Sequence, residues 1–306
     1  MIDTFQQSLP HGISLSCRAA GERGRPVLLF LHGFPEAAFV WDASLEHFAQ
    51  AEHGGYRCIA PNLRGYEQSS APTEVAAYRA KGLVQDLTAL IEAITQDSPT
   101  PGQLACLVAH DWGGALAWSV AAQYPAAMRQ LAIVNAPHPA TFQRELANSP
   151  TQQASSAYMN FLARPDAPAL LAEDDFARLW PFFTNMAADS GPMAWLDEAT
   201  RNRYREVWRQ GLHGPCAYYA ASPLRPPTAS DPGAAAVQLA RERVTVNVPT
   251  QVVWGLGDTA LPEALLEGLE DFVSDVRIKR VPGATHWIVH EQPEQLAALI
   301  GDFLNA

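Results

Sequence analysis

The chain has 306 residues with 21 Lys+Arg against 32 Asp+Glu, a formal net charge of −11 at pH 7. A surface of that sign repels phosphate backbones and anionic lipid, and no basic cluster offsets it, which excludes a general nucleic-acid or membrane-surface role. Hydrophobic residues at 48% and charged residues at 17% describe a globular chain with enough apolar side chains for a large core.

The start, MIDTFQQSLPHG, has no basic stretch followed by an apolar run, and no segment nears the roughly 18 apolar residues of a membrane helix, so a cytoplasmic location is expected. Ile13 to Arg18 alternates like an edge hairpin, and Val27 to Leu31 is a continuous apolar run of the kind buried on both faces of a sheet. Trp41 to Ala51 reads as a helix, Tyr56 to Ala60 as a strand, and Gly82 to Thr95 carries a helical apolar stripe. Leu104 to Ala109 and Leu131 to Val134 continue the strands, with a helix over Gly114 to Gln123 between them. The four cysteines, Cys17, Cys58, Cys106 and Cys216, lack CxxC spacing and are expected as buried free thiols.

After Pro137 the strand rhythm stops. Helical segments and many aromatics run to about Ala236, ending in the Pro- and Ala-rich stretch ASPLRPPTASDPGAAA, which reads as a return linker. Strands resume at Gln251 to Trp254 and Val276 to Val281, and Gln292 to Leu304 is the last helix. The expected organisation is an α/β core, residues 1–136 and 237–306, interrupted by a helical cap over 137–236, since roughly a hundred residues are too many for a structureless loop.

The segment LACLVAHDWGGALAW, Leu104 to Trp118, carries the chemistry. A buried strand ends, a charged residue follows, and two glycines open a helix. Ala109 and Gly113 stand two positions either side of Asp111, the small-x-nucleophile-x-Gly spacing of a nucleophile elbow, whose sharp turn leaves no room for larger side chains. Asp111 also stands at a helix N-terminus, where free N–H groups favour an anion. Asp258, in WGLGD, and His286, in GATHW, each follow a later strand. The order nucleophile, acid, base is the one expected when all three gather at the carboxyl edge of a parallel sheet. The backbone N–H groups of Phe34, in the His32-Gly33-Phe34-Pro35 loop, and of Trp112 are the expected oxyanion hole, with His32 itself structural.

These segments, together with Arg64-Gly65-Tyr66 and Asn135-Ala136-Pro137-His138-Pro139, resemble the α/β-hydrolase family over nearly the whole chain. HDWGG replaces the serine of esterases and lipases with aspartate, and in this the chain looks most like the epoxide hydrolases, with haloalkane and fluoroacetate dehalogenases as near neighbours. The resemblance implies an α/β-hydrolase core with a mostly parallel sheet, helices on both faces and an inserted helical cap. It also implies a covalent alkyl ester on Asp111, hydrolysed by water that His286 activates with Asp258 holding the ring.

Epoxide opening releases an alkoxide, so the cap must offer an acid, and tyrosine at a pKa of about 10 is suited to it. Epoxide hydrolases carry two such tyrosines. The resemblance selects Tyr158, in YMNFLARP, and Tyr219, in GPCAYY, with Tyr218 left open as a slip of one position. Haloalkane dehalogenases need a second side-chain N–H beside that of Trp112; Phe34 has none, although Trp180 or Trp195 would supply one. Fluoroacetate enzymes place arginines where Trp112 and Ala115 stand here, so a small carboxylate substrate is disfavoured. Some relatives carry the triad acid where Asn135 stands, which directs that role to Asp258.

Phe161, Trp180 and Phe183 are the expected lining of an apolar pocket between cap and core. The resulting expectation is hydrolysis of an apolar or aryl epoxide to a vicinal diol, with water as the only other partner and no cofactor. A haloalkane dehalogenase or a non-catalytic small-molecule receptor is the alternative. No pair of histidines has metal-ligand spacing, so no metal is called for.

Overall fold

The computed structural model describes residues 1–185 and 193–306. Eight strands form one sheet: β1 (Asp3–Ser8), β2 (Ser14–Ala20), β3 (Val27–Leu31), β4 (Arg57–Pro61), β5 (Cys106–His110), β6 (Leu131–Val134), β7 (Thr250–Gly255) and β8 (Val276–Val281), in the spatial order β1-β2-β4-β3-β5-β6-β7-β8. The hairpin read at residues 13–18 is β2 paired antiparallel with β1, and β2 runs antiparallel to β4. Every pairing from β4 to β8 is parallel.

Helices α1 (Asp42–Ala49), α2 (Ala80–Ile94) and α3 (Asp111–Gln123) cover the sheet in the first half of the chain. Strands β3 to β7 are fully buried because both faces are covered: Leu29 and Leu31 point into one apolar cluster with α2 and α3, while Leu28 and Phe30 point into the other with Trp41 and Phe48. That two-sided burial is why these strands read as unbroken apolar runs instead of alternating ones. Edge strand β8 alternates, with only Val281 fully buried.

Among the described residues seven α-helices lie between β6 and β7: α4 (Pro139–Asn148), α5 (Pro150–Ser155), α6 (Tyr158–Leu162), α7 (Ala167–Phe176), α8 (Trp180–Thr184), α9 (Glu198–Trp208) and α10 (His213–Ala221). They sit over the carboxyl ends of the strands, where Trp208 of α9 donates its indole N–H to the Pro35 carbonyl at 2.7 Å. Helices α11 (Ile288–Glu291) and α12 (Pro293–Leu304) close the chain.

The parallel register lines up the strand ends. Leu31 pairs with Ala109, His110 with Val134, Val134 with Val253 and Gly255 with Val281. The loops holding Phe34, Asp111, Asn135, Asp258 and His286 therefore open along one edge, as strand ends of a parallel sheet require.

Candidate active site

Asp111 follows β5 directly and opens α3, so the helix starts at the acid and not at Gly114 as the glycine pair suggested. The turn is tight enough to force Asp111 to a φ of +48°, a left-handed conformation costly for a side chain with a Cβ. A Cβ on Gly113 would lie 2.6 Å from the His32 carbonyl oxygen and from the Leu31 side chain, and one on Gly114 would collide with Ala136. Gly113 also donates its N–H to the His32 carbonyl at 3.0 Å, tying the elbow to the neighbouring loop. Glycine at 33 is required for the same reason, because a Cβ there would overlap the Asp111 carboxylate.

The two carboxylate oxygens of Asp111 differ. Oδ1 accepts the Phe34 backbone N–H at 2.7 Å, while Oδ2 faces His286 Nε2 at 3.8 Å. Trp112, second in α3, has a backbone N–H without an intrahelical acceptor at the same end of the helix. His286 Nδ1 meets Asp258 Oδ2 at 2.7 Å. Asp258 is fully engaged: Asn135 donates to Oδ2 at 2.9 Å, and the N–H groups of Ala260 and Leu261 donate to Oδ1 at 2.9 Å each. Burial by itself would lower the His286 pKa, but the negative charges of Asp258, Asp111 and Glu36 outweigh it and push the imidazole up to about 9.

Behind His286 lies a polar group that the sequence reading did not find. The buried Glu36 carboxylate meets His110 Nδ1 at 3.1 Å, His290 Nε2 at 2.6 Å and the Tyr204 hydroxyl at 3.1 Å. His110 Nε2 in turn lies 2.9 Å from the His286 carbonyl. Burial pushes the Glu36 carboxyl up, but the hydrogen bonds and charges of His110 and His290 outweigh that and hold it well below the usual carboxylate range. The group supports the catalytic-type histidine from below and joins cap helix α9 to the core. The sequence signal available was an acid immediately after the His-Gly-Phe-Pro loop, in a segment otherwise apolar.

A cavity of about 350 Å³ begins at Asp111 and Trp112, and Tyr158 of α6 and Tyr219 of α10 both line it. Their ring centroids are 6.1 Å apart, and Tyr219 is wedged edge-on between Phe34 at 5.2 Å and Trp112 at 5.1 Å. Burial, reinforced by the Asp111 charge, raises both phenols above the ordinary tyrosine range. The Tyr218 hydroxyl donates instead to the Arg64 carbonyl at 2.9 Å, with its ring packed against Tyr66 and Tyr78.

The expected pocket lining needs correction. Phe161, Trp180 and Phe183 do not line the cavity at Asp111. Phe183 is fully buried between Tyr204 and Trp287, Trp180 packs at a tilt against Trp208 under the guanidiniums of Arg201 and Arg205, and Arg164 lies over Phe161. These three aromatics pack within the cap, whereas their neighbour Phe182 reaches Phe34 at 5.3 Å and Tyr158 at 5.5 Å. Trp195 stacks on His290 at 4.2 Å and likewise stays outside the cavity.

Residues 26–293 match the model of the alpha/beta hydrolase fold. The chain belongs to the α/β-hydrolase fold family. AB hydrolase superfamily protein YfhM of Bacillus subtilis (strain 168) is 32% identical over 298 residues, covering 96% of each chain. Epoxide hydrolase 3 of Xenopus tropicalis is 31% identical over 301 residues, covering 96% of this chain and 75% of that protein. Among solved structures, a Bacillus megaterium epoxide hydrolase in complex with an inhibitor superposes with a TM-score of 0.85 at 26% identity, covering 99% of this chain and all (100%) of that one. Among the described residues no helix is long and apolar enough to cross a membrane, and no group of His, Cys, Asp and Glu has the arrangement of a metal site.

Proposed function

We propose that this member of the family hydrolyses an apolar or aryl epoxide to a vicinal diol through an ester on Asp111. The observation that carries the reading is that two buried tyrosines, Tyr158 and Tyr219, and Asp111 line a single cavity, with His286 and its acid Asp258 behind the aspartate. The relatives named as epoxide hydrolases support it.

Oδ1 of Asp111 is held by the Phe34 N–H, so Oδ2 is the free nucleophile. Its lone pair attacks an epoxide carbon, the C–O bond on that carbon breaks, and the departing oxygen takes a proton from Tyr158 or Tyr219. The tyrosines, raised by burial, remain protonated at neutral pH and are there to give that proton. Alkylation turns Asp111 into a neutral ester and so removes one of the charges that keep His286 protonated. His286 then loses its proton, accepts another from water, and the hydroxide adds to the Asp111 carbonyl carbon. The negative charge develops on Oδ1, where the Phe34 N–H already stands and the Trp112 N–H joins it. Collapse releases the alcohol oxygen, protonated from His286; the proton of the new Asp111 carboxyl passes to the tyrosinate, and solvent returns to His286 the proton it lost after alkylation.

A halide leaving group needs side-chain N–H donors around it. Among the described residues two tryptophans line the cavity, Trp112 beside Asp111 and Trp118, whose indole N–H is already donated to the Ala136 carbonyl at 3.2 Å, which favours the epoxide. The test is to block the second step with His286→Gln, incubate with styrene oxide or with a bromoalkane, and weigh the intact protein. The epoxide should add its whole mass, mapping to Asp111. An alkyl gain with halide released would indicate a dehalogenase, and binding without mass gain a receptor.

A further inference from the structure

Tyr219 is carried by α10, and α10 is fastened to the core at three points of the segment that follows β4. His213 Nε2 lies 2.7 Å from the Thr73 carbonyl, and the Tyr218 hydroxyl donates to the Arg64 carbonyl at 2.9 Å. Between them Gly214 rests on Gly65, backbone against backbone. A Cβ on Gly214 would lie 2.4 Å from the Gly65 Cα, and one on Gly65, where φ is +87°, would lie 2.7 Å from the Gly214 Cα. Gly214 and Tyr218 are four residues apart and share one face of the helix. Tyr219 is the next residue, about 100° further round, and that turn brings it to the cavity at Asp111.

The anchoring segment is itself tied down. Arg64 donates Nε to Asp86 of α2 at 2.7 Å, Nη2 to the other oxygen of the same carboxylate, and Nη1 to the Ala77 carbonyl at 2.6 Å. Both members of this bidentate pair are buried, and His11 Nε2 lies 2.6 Å from Asp86. The proposed reaction uses none of these groups, yet the carbonyl they hold in place is the one that Tyr218 reaches. Tyr158 is seated differently. It rides on α6, whose side-chain hydrogen bond among the described residues, Asn160 to the Pro226 carbonyl at 3.1 Å, stays within the cap.

We propose that Tyr218 is the positioning residue of Tyr219: its hydroxyl, bound to the Arg64 carbonyl, sets the rotation of α10 about its own axis and so the place of the Tyr219 hydroxyl over Asp111. One tyrosine of the pair is then registered to the sheet and the other to the cap. Helix side chains reach about 5–6 Å from the axis, so a rotation of about 10° moves a group at that radius by about 1 Å. A displacement of that size costs up to about a hundredfold in rate. The expected effect on rate rests on the function proposed above; the seating of α10 does not.

The test reads rate and seat separately. In His286→Gln protein, where the adduct should accumulate, alkylation by styrene oxide is timed with Tyr218→Phe added, alone or together with Tyr219→Phe or Tyr158→Phe. Tyr218→Phe should slow alkylation about tenfold. That loss should persist with Tyr158→Phe and vanish with Tyr219→Phe, because misplacing a ring costs nothing once its hydroxyl is gone. Gly214→Ala, which pushes α10 off Gly65, should behave as Tyr218→Phe does. The seat is read without turnover, from the fluorine resonance of 3-fluorotyrosine placed at 219 or at 158. Tyr218→Phe should shift or broaden the first by more than the second. A loss of rate that remains with Tyr219→Phe would mark a general structural role and overturn the inference, as would an unmoved resonance at 219. If His286→Gln itself forms no adduct, the proposed reaction falls, and the two resonances still decide for or against Tyr218.

Discussion

The sharpest consequence of the geometry is that the charge of Asp111 adds to the larger effect of Asp258 in raising the His286 pKa. The ring stands between two carboxylates, 2.7 Å from Asp258 and 3.8 Å from Asp111. With its pKa pushed up to about 9, His286 is mainly protonated at pH 7 while Asp111 is charged. In the proposed reaction a base is needed only after alkylation, which is when the Asp111 charge would be gone. Asp111→Asn mimics that loss while keeping the side-chain oxygen that accepts the Phe34 N–H. Two charges 3.8 Å apart interact by about 4 kcal/mol at an effective dielectric of about 20, and about 1.4 kcal/mol moves a pKa by one, so removal is worth at most about three pH units. The Asp111 side chain is 16% exposed and water screens it, which reduces the expected fall to between about one and three. Nuclear magnetic resonance titration of the His286 ring in wild type and Asp111→Asn reads the difference directly. An unchanged or higher pKa in the variant would refute the idea that alkylation itself releases the base.

The raised pKa has a stability counterpart. A histidine at about 9 folded against 6.5 ordinarily contributes stability that is fully present below pH 6.5 and lost as pH rises through 9, on the order of 3 kcal/mol. Denaturant midpoints should fall across that window in wild type and flatten in His286→Gln. Gly113→Ala should cost about 1–3 kcal/mol, because its Cβ would lie 2.6 Å from the His32 carbonyl oxygen; a thermal melt equal to wild type would contradict the elbow geometry. Tyr158→Phe and Tyr219→Phe should each slow the alkylation burst by styrene oxide by about 10²-fold or more in stopped flow, and spare a bromoalkane. Equal rates with wild type would remove both hydroxyl groups from the chemistry.

What was legible in the sequence followed from local chemistry. Strands β3, β5, β6 and β7 are buried on both faces and so appear as apolar runs, and Gly113 and Gly114 betray a turn whose neighbours sit within contact distance. The support group around Glu36 was not legible, because its partners His110, Tyr204 and His290 lie 74, 168 and 254 positions away and only the folded sheet and cap bring them together. The direction of the cavity was missed for a related reason. Aromatic side chains in the cap have two apolar surroundings to choose from, and Phe183 and Trp180 face the cap's own core. The Pro- and Ala-rich return segment carries no periodicity, yet Pro223 and Leu224 line the cavity, next to a Ser222 carbonyl that accepts from Arg225 at 3.0 Å.

A single-turnover reaction with styrene oxide, enzyme in excess, in water carrying heavy oxygen tests the ester on Asp111 most directly. If Asp111 forms the ester and water attacks its carbonyl, the label appears in the Asp111 carboxylate while the first diol formed carries none. Label in the first diol, with Asp111 unlabelled, would show that water attacks the epoxide itself and would contradict the covalent mechanism.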